Sequence, residues 1–205
     1  MPYHKERIFL KGVAKGREWN ETLKAIHVAE LAHSDQHRKD GQPYLVHPIR
    51  VASALVSMKV HSDETIAICI LHDVVEDCDT WTPEKIRDKY HIRNSIINKV
   101  LKLTKFEGLS TETYYEGIKE DISTILVKIA DRCHNVSTMA GVFNKKKIEE
   151  YIEETEQFVL PLCKFGSTKY PEFSDQIYTM KYHIESILNT IKRLCLNVED
   201  ENKST

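Results

Sequence analysis

One imidazole and three carboxylates fall within six residues of this chain. They sit in Ile70-Leu71-His72-Asp73-Val74-Val75-Glu76-Asp77, directly behind the apolar run Ile66-Ala67-Ile68-Cys69-Ile70-Leu71. Charge next to such a run is expensive to bury unless something offsets it, and a divalent metal would. On a helix, Glu76 lies four residues after His72 and three after Asp73, so the three share one broad face, with Asp77 on its rim. Neighbouring His and Asp project about 100° apart, so both reach one ion only if it sits between them. The remaining ligands must then come from other helices. His47, after a Gly41/Pro43 turn, is one candidate. Asp131, behind the apolar segment Leu126-Val127-Lys128-Ile129-Ala130, is another, because a buried aspartate needs a partner. A mixed set of imidazoles and carboxylates suits Mn²⁺, Zn²⁺ or Fe²⁺ better than Ca²⁺ or Mg²⁺.

The elements that must position these residues read as helices almost throughout. Glycine and proline are scarce, at 7 and 6 of 205 residues, and apolar positions recur at three- and four-residue steps. Helices are expected at 19–37, 44–58, 62–77, 82–90, 94–105, 111–120, 122–139, 145–165 and 172–196. Ser62 is a candidate N-cap with Asp63 and Glu64 behind it. Thr82-Pro83 is a second start signal. Pro161 should kink its helix, and Gly166-Ser167-Thr168 with Pro171 should separate the last two. The fold class expected is all-α, in a single domain. Residues 1–19 read as a partly ordered extension and 198–205 as a flexible tail.

Composition excludes several classes. A net charge of −2 leaves no footprint for nucleic acid. No apolar run is long enough to span a membrane, and the N-terminus lacks signal-peptide features. The five cysteines contain no CxxC pair and read as free thiols of a reducing, cytoplasmic compartment.

Three segments together resemble the hydrolase domain of the Rel/SpoT alarmone enzymes, within the HD superfamily. They are Ala32-His33-Ser34-Asp35-Gln36-His37-Arg38-Lys39-Asp40-Gly41-Gln42-Pro43-Tyr44-Leu45-Val46-His47-Pro48, then Leu71 to Asp77, then Val127-Lys128-Ile129-Ala130-Asp131-Arg132-Cys133-His134-Asn135. Glu154-Thr155 through Leu160-Pro161-Leu162 and Gly166 is a fainter match. The resemblance spans roughly residues 25–166, the region after Gly166 following no pattern of the family; it implies a helical HD-domain fold, expected over residues 20–197, and removal of the 3′-diphosphate from (p)ppGpp. It implies that His47, His72, Asp73 and Asp131 hold a metal, normally Mn²⁺, and that Glu76 and Asp77 handle the attacking water. Arg38, Lys39, Asn135 and Thr138 match nucleotide-contacting positions, and His33 and His134 lie inside matched motifs. The chain has no room for the synthetase and regulatory domains of long relatives, so a stand-alone small hydrolase is expected, with a nucleotide as its partner.

Asp40 stands where serine is common and Ser137 where arginine is common. Both make the expected pocket less positive. They keep open a phosphohydrolase acting on an adenine alarmone, NADPH 2′-phosphate or another nucleotide. A non-catalytic nucleotide sensor is the remaining alternative, and the intact Glu76/Asp77 pair argues against it. From the residues alone, Arg38 and Lys39 could equally be a solvated helix end, and Asn135 a helix-packing hydrogen bonder. Lys105 reads as surface, and Tyr114, Tyr115 and Tyr151 as core or rim.

Overall fold

The structure is a computed structural model that describes residues 4–39 and 41–196. Asp40 and the expected tail at 198–205 lie outside the described residues. Among those described there is no β-strand, only an isolated bridge between His37 and Pro43. The helices are α1 His4–Gly16, α2 Asn20–Ala32, α3 Val46–Ser57, α4 Asp63–Leu71, α5 Val74–Asp77, α6 Pro83–Tyr90, α7 Asn94–Leu103, α8 Thr111–Ile118, α9 Ile122–Thr138, α10 Lys145–Glu154, α11 Leu160–Lys169 and α12 Ser174–Ile191. No helix among the described residues is long and apolar enough to cross a membrane.

α4 is the axis of the bundle. Every residue from Thr65 to Leu71 is buried, the pattern of a helix surrounded on all sides. It packs against α2, α3, α7 and α9. Each fully buried Ile or Leu there contributes about 1.5–3 kcal/mol of burial. Ser62 caps α4 as expected, its Oγ accepting from Thr65 N–H at 3.1 Å. Thr82 caps α6 in the same way at 3.2 Å, with Pro83 in the first turn.

Three boundaries differ from expectation. The central stretch is not one helix through Asp77. α4 ends at Leu71, Asp73 sits at φ −97° and ψ −8°, and α5 is a separate single turn. The cause is local. The His72 Nδ1–H donates to the Cys69 carbonyl at 2.7 Å, the acceptor an uninterrupted helix would give to Asp73 N–H. α2 stops at Ala32, five residues before His37, because the chain turns there. Gln36 N–H bonds back to the His33 carbonyl, and the chain then folds over Gly41 at φ +80°. Arg38 and Lys39 are therefore on a loop and not at a helix end.

The third difference is at the C-terminal pair. The chain continues helically through Gly166 to Lys169 and breaks only at Tyr170-Pro171. Gly166 has no stop role here. A Cβ on it would lie 3.0 Å from both Ile125 Cγ2 and Ile177 Cδ1, so its bareness lets α9 and α12 close on α11. Pro161 is accommodated by a π-helical turn, Thr155–Val159, just before it; the wider turn relieves the clash a proline makes with the preceding carbonyls.

Within the expected extension, His4–Gly16 forms a helix that the sequence did not suggest. α1 buries Leu10 and Ala14, and Glu30 holds it through Arg7 at 3.0 Å and Lys11 at 2.7 Å. Its inward apolar positions are only those two and Val13, with Ile8 and Phe9 left exposed, and its anchors include ion pairs to α2.

α2 begins without a cap of its own, since Trp19 makes no side-chain cap bond. The Asp63 carboxylate supplies it from α4, accepting from Thr22 N–H at 2.7 Å and Glu21 N–H at 3.1 Å. Asp63→Ala should therefore lower stability by about 1–2 kcal/mol, the size of a lost N-cap. The measure is a urea midpoint shifted down at constant slope, and an unchanged midpoint would remove Asp63 from this role.

Candidate metal and nucleotide site

Three separate elements bring the expected ligand quartet together. His47 is the second residue of α3, His72 and Asp73 occupy the α4–α5 break, and Asp131 is mid-way along α9. His47 Nε2 lies 3.3 Å from His72 Nε2, 3.1 Å from Asp131 Oδ1 and 3.5 Å from Asp73 Oδ2. His72 Nε2 lies 3.1 Å from Asp73 Oδ1 and 3.7 Å from Asp131 Oδ1. Ligand atoms of His47, His72 and Asp73 all fall within 4.8 Å of one another; Asp131 joins through its contacts to both imidazoles. His47, His72 and Asp131 are buried, while Asp73 is half-buried.

The donor set fits a divalent cation. Two imidazole Nε2 atoms face each other with a carboxylate oxygen close to each, an arrangement that is stable only around positive charge. The electrostatics agree. Burial pulls the His72 pKa down, but Asp73 and Asp131 outweigh it and lift it to about 9. Burial pushes Asp131 up, yet His47 and His72 hold it well below the usual carboxylate range. The cluster attracts positive charge even though it is buried.

Glu76 and Asp77 reach the same cavity, but neighbours outside their own helix hold them. Glu76 Oε2 accepts from the Lys105 N–H at 2.9 Å. Burial raises its pKa against that hydrogen bond. The Tyr44 hydroxyl stands between Asp77 Oδ2 at 2.6 Å and Asp73 Oδ2 at 2.8 Å. Burial likewise raises Asp77, against the pull of Tyr44. Burial and the two carboxylates keep Tyr44 protonated, so it is a donor throughout. Gln36 ties the loop to the same place, donating to the Asp77 carbonyl at 2.7 Å.

The cavity has a volume of about 440 Å³. Arg38, Lys39, Asn135 and Thr138 all line it, with Lys105, Lys128, Phe143 and Tyr151. Asp131, Asn135 and Thr138 form the expected row along α9. Asn135 Nδ2 donates to Asp131 Oδ1 at 2.6 Å, so it also orients that carboxylate. Arg38 donates to Thr138 Oγ1 at 3.1 Å, and Lys39 Nζ lies 5.1 Å from the Phe143 ring centre. Lys105 is exposed, as expected, and at the same time lines the cavity, donating to Thr111 Oγ1. Ser137 turns away instead, donating to the Cys133 carbonyl and meeting His183. Ser137 itself therefore does not line the cavity.

His134 is packed edge-on to His47, ring centres 4.8 Å apart. Burial, His47 and Arg38 together push its pKa down to about 3, so its ring is neutral.

Sequence reasoning missed Tyr44, Lys128, Arg132 and Glu154 as site residues. Arg132 is 2% exposed, lies 3.9 Å from the Tyr151 ring centre and pairs with Glu154 at 2.5 Å. Glu154 in turn accepts from Tyr115. All four lie within the matched segments, so their positions carried a signal; their partners, such as Glu154 for Arg132, appear only through contacts across the fold.

A profile of the HD-domain family matches residues 25–163. The chain is 32% identical over 190 residues to a guanosine-3′,5′-bis(diphosphate) 3′-pyrophosphohydrolase of Aquifex aeolicus, covering 88% of this chain and 27% of that protein. It is 37% identical over 156 residues to a GTP pyrophosphokinase rsh of Brucella ovis, covering 70% of this chain and 20% of that one. It thus spans about a quarter or less of the length of these relatives. A solved structure, described as a metazoan ortholog of SpoT that hydrolyzes ppGpp and plays a role in starvation responses, is similar with a TM-score of 0.59. At 21% identity, over 85% of this chain and 94% of that one, the likeness is one of fold.

The Arg132–Glu154 pair yields a pH test. Burial raises the Glu154 pKa, but Arg132 and Lys128 outweigh it and hold it below the usual range. A depressed carboxylate stabilises the fold fully above its unfolded pKa of about 4.3 and loses that contribution as pH falls through the folded value. Glu154→Gln should be less stable than the parent at neutral pH, and the gap should narrow below about pH 4.3. Denaturant titrations across pH check this; a gap independent of pH would contradict it.

Proposed function

This chain belongs to the HD-domain family, and on that premise we propose that it is a metal-dependent phosphohydrolase that removes the 3′-diphosphate from (p)ppGpp, giving GDP or GTP and pyrophosphate. One observation carries the reading: two imidazoles and two carboxylates from three elements meet in the wall of a cavity whose other walls carry Arg38, Lys39, Lys105 and Lys128. The names of the similar Aquifex and Brucella proteins support the choice of substrate.

His47, His72, Asp73 and Asp131 would hold the metal. Mn²⁺ is the ion we assign, with Zn²⁺ or Fe²⁺ as alternatives for the same donors. When bound, such an ion polarises a phosphoryl oxygen and makes water nucleophilic near neutral pH. Glu76, its carboxylate fixed by Lys105 N–H, accepts the proton of the attacking water. Asp77, held by Tyr44, stands beside it to orient that water or pass a proton to the leaving oxygen. Arg38 forks or stacks against the nucleotide, and Lys39 and Lys105 offer point charges to phosphate. Asn135 and Thr138 meet the sugar or phosphate from α9. The cavity size suits a nucleotide, since small-molecule sites run to roughly 300–1,000 Å³.

Purified protein loaded with Mn²⁺ should convert ppGpp to GDP and pyrophosphate. Turnover of an adenine alarmone or NADPH 2′-phosphate in its place would move the substrate and keep the chemistry; no turnover of any nucleotide would leave a sensor. Asp73→Ala should lose both metal and activity while keeping its helix content by circular dichroism. Full metal occupancy in that variant would contradict the ligand set. Glu76→Gln should lower kcat roughly 100- to 10,000-fold with nucleotide binding retained.

A further inference from the structure

His72 and His47 must each present Nε2 to a cation, and each can do so only if its single proton sits on Nδ1. For His72 the backbone decides this, because a carbonyl can only accept, and Cys69 C=O takes the Nδ1–H at 2.7 Å. His47 has no such carbonyl. Its Nδ1 faces His134 Nδ1 at 2.9 Å, a contact between two groups that can each donate or accept.

A third residue breaks the tie. Arg38 Nη1 also points at His134 Nδ1, at 3.3 Å. A guanidinium has donors and no acceptor, so His134 Nδ1 must carry a lone pair, with the ring's proton on Nε2. Two lone pairs do not bond, so the hydrogen between the rings belongs to His47. A neutral imidazole with its proton on Nδ1 leaves Nε2 free, and His47 Nε2 is the atom that lies 3.1 Å from Asp131 and 3.3 Å from His72 Nε2.

We propose that His134 is a positioning residue that fixes His47 in its Nδ1–H tautomer, through an acceptor nitrogen oriented by Arg38, and so aims the His47 Nε2 lone pair at the metal position. The proposal rests on the reading of His47 as a metal ligand. The two imidazoles are held by different devices. The device for His72 is main chain and survives any side-chain change, whereas that for His47 is a side chain of α9.

The test measures Mn²⁺ affinity of the full-length protein, by calorimetry and by the free-ion signal in electron paramagnetic resonance. His134→Leu removes the acceptor and should weaken Mn²⁺ binding about 10- to 100-fold, the usual effect of losing a partner behind a ligand. His134→Asn can place Oδ1 where Nδ1 stood and should stay close to the parent. Long-range proton–nitrogen spectra of the Zn²⁺-loaded parent should show His47 protonated at Nδ1. Circular dichroism and melting curves establish that both variants are folded. A folded His134→Leu protein that binds Mn²⁺ as tightly as the parent overturns this inference alone, as does an Asn variant as weak as the Leu variant. A parent that binds no divalent ion overturns the inference together with the metal reading. Because binding is measured and not turnover, failure with ppGpp as substrate does not enter the result.

Discussion

Asp131 is a carboxylate buried in the middle of an apolar helix face, and most of the site follows from satisfying it. Alone it would be strongly unfavourable. It has His47 at 3.1 Å, His72 at 3.7 Å, Lys128 at 3.8 Å and the Asn135 amide at 2.6 Å. Those partners come from α3, the α4–α5 break and α9 itself. To bring them within reach, α3, α4 and α9 must pack against one another, as they do. The all-apolar α4 supplies the burial that makes this arrangement stable and also the dry surroundings that strengthen every charge interaction in it.

The quartet was legible in the sequence because few residue types can ligate a metal, and those at His47, His72, Asp73 and Asp131 stood in telling places: after a turn, behind an apolar run, within an apolar helix. Helix periodicity placed nearly every element, since every helix but the fully buried α4 has one face to bury. The break at His72 was not legible, because it arises from a side chain competing with the backbone for one carbonyl. Nor was the end of α2, where His33 and Gln36 turn the chain. Gly166 was misread as punctuation because the reason for a glycine there lies on two other helices, at Ile125 and Ile177. Tyr44, Lys128 and Glu154 lie inside the matched segments, but their types did not single them out; what they do depends on residues far away in sequence.

Glu76 and Asp77 illustrate how geometry replaced the expected logic without moving the residues away from the site. On a continuous helix they would have been positioned by α4. Carried on a single turn after the break, they depend on Lys105 N–H and the Tyr44 hydroxyl instead. Two carboxylates with burial-raised pKa values are thereby kept next to the His47, His72, Asp73 and Asp131 cluster without being carried on the same helix.

The segment from His33 to Tyr44 has few apolar anchors and is fastened chiefly at its polar tips. Gln36 reaches Asp77, Tyr44 reaches Asp73 and Asp77, and Arg38 crosses to Thr138, 100 positions further along the chain. Its order is thus a property of the assembled molecule and not of its own composition. Amide exchange or protease nicking in this loop would report on the charge state of carboxylates that lie elsewhere in the sequence, which makes an otherwise unremarkable strip of surface a gauge of whether the centre beneath it is intact.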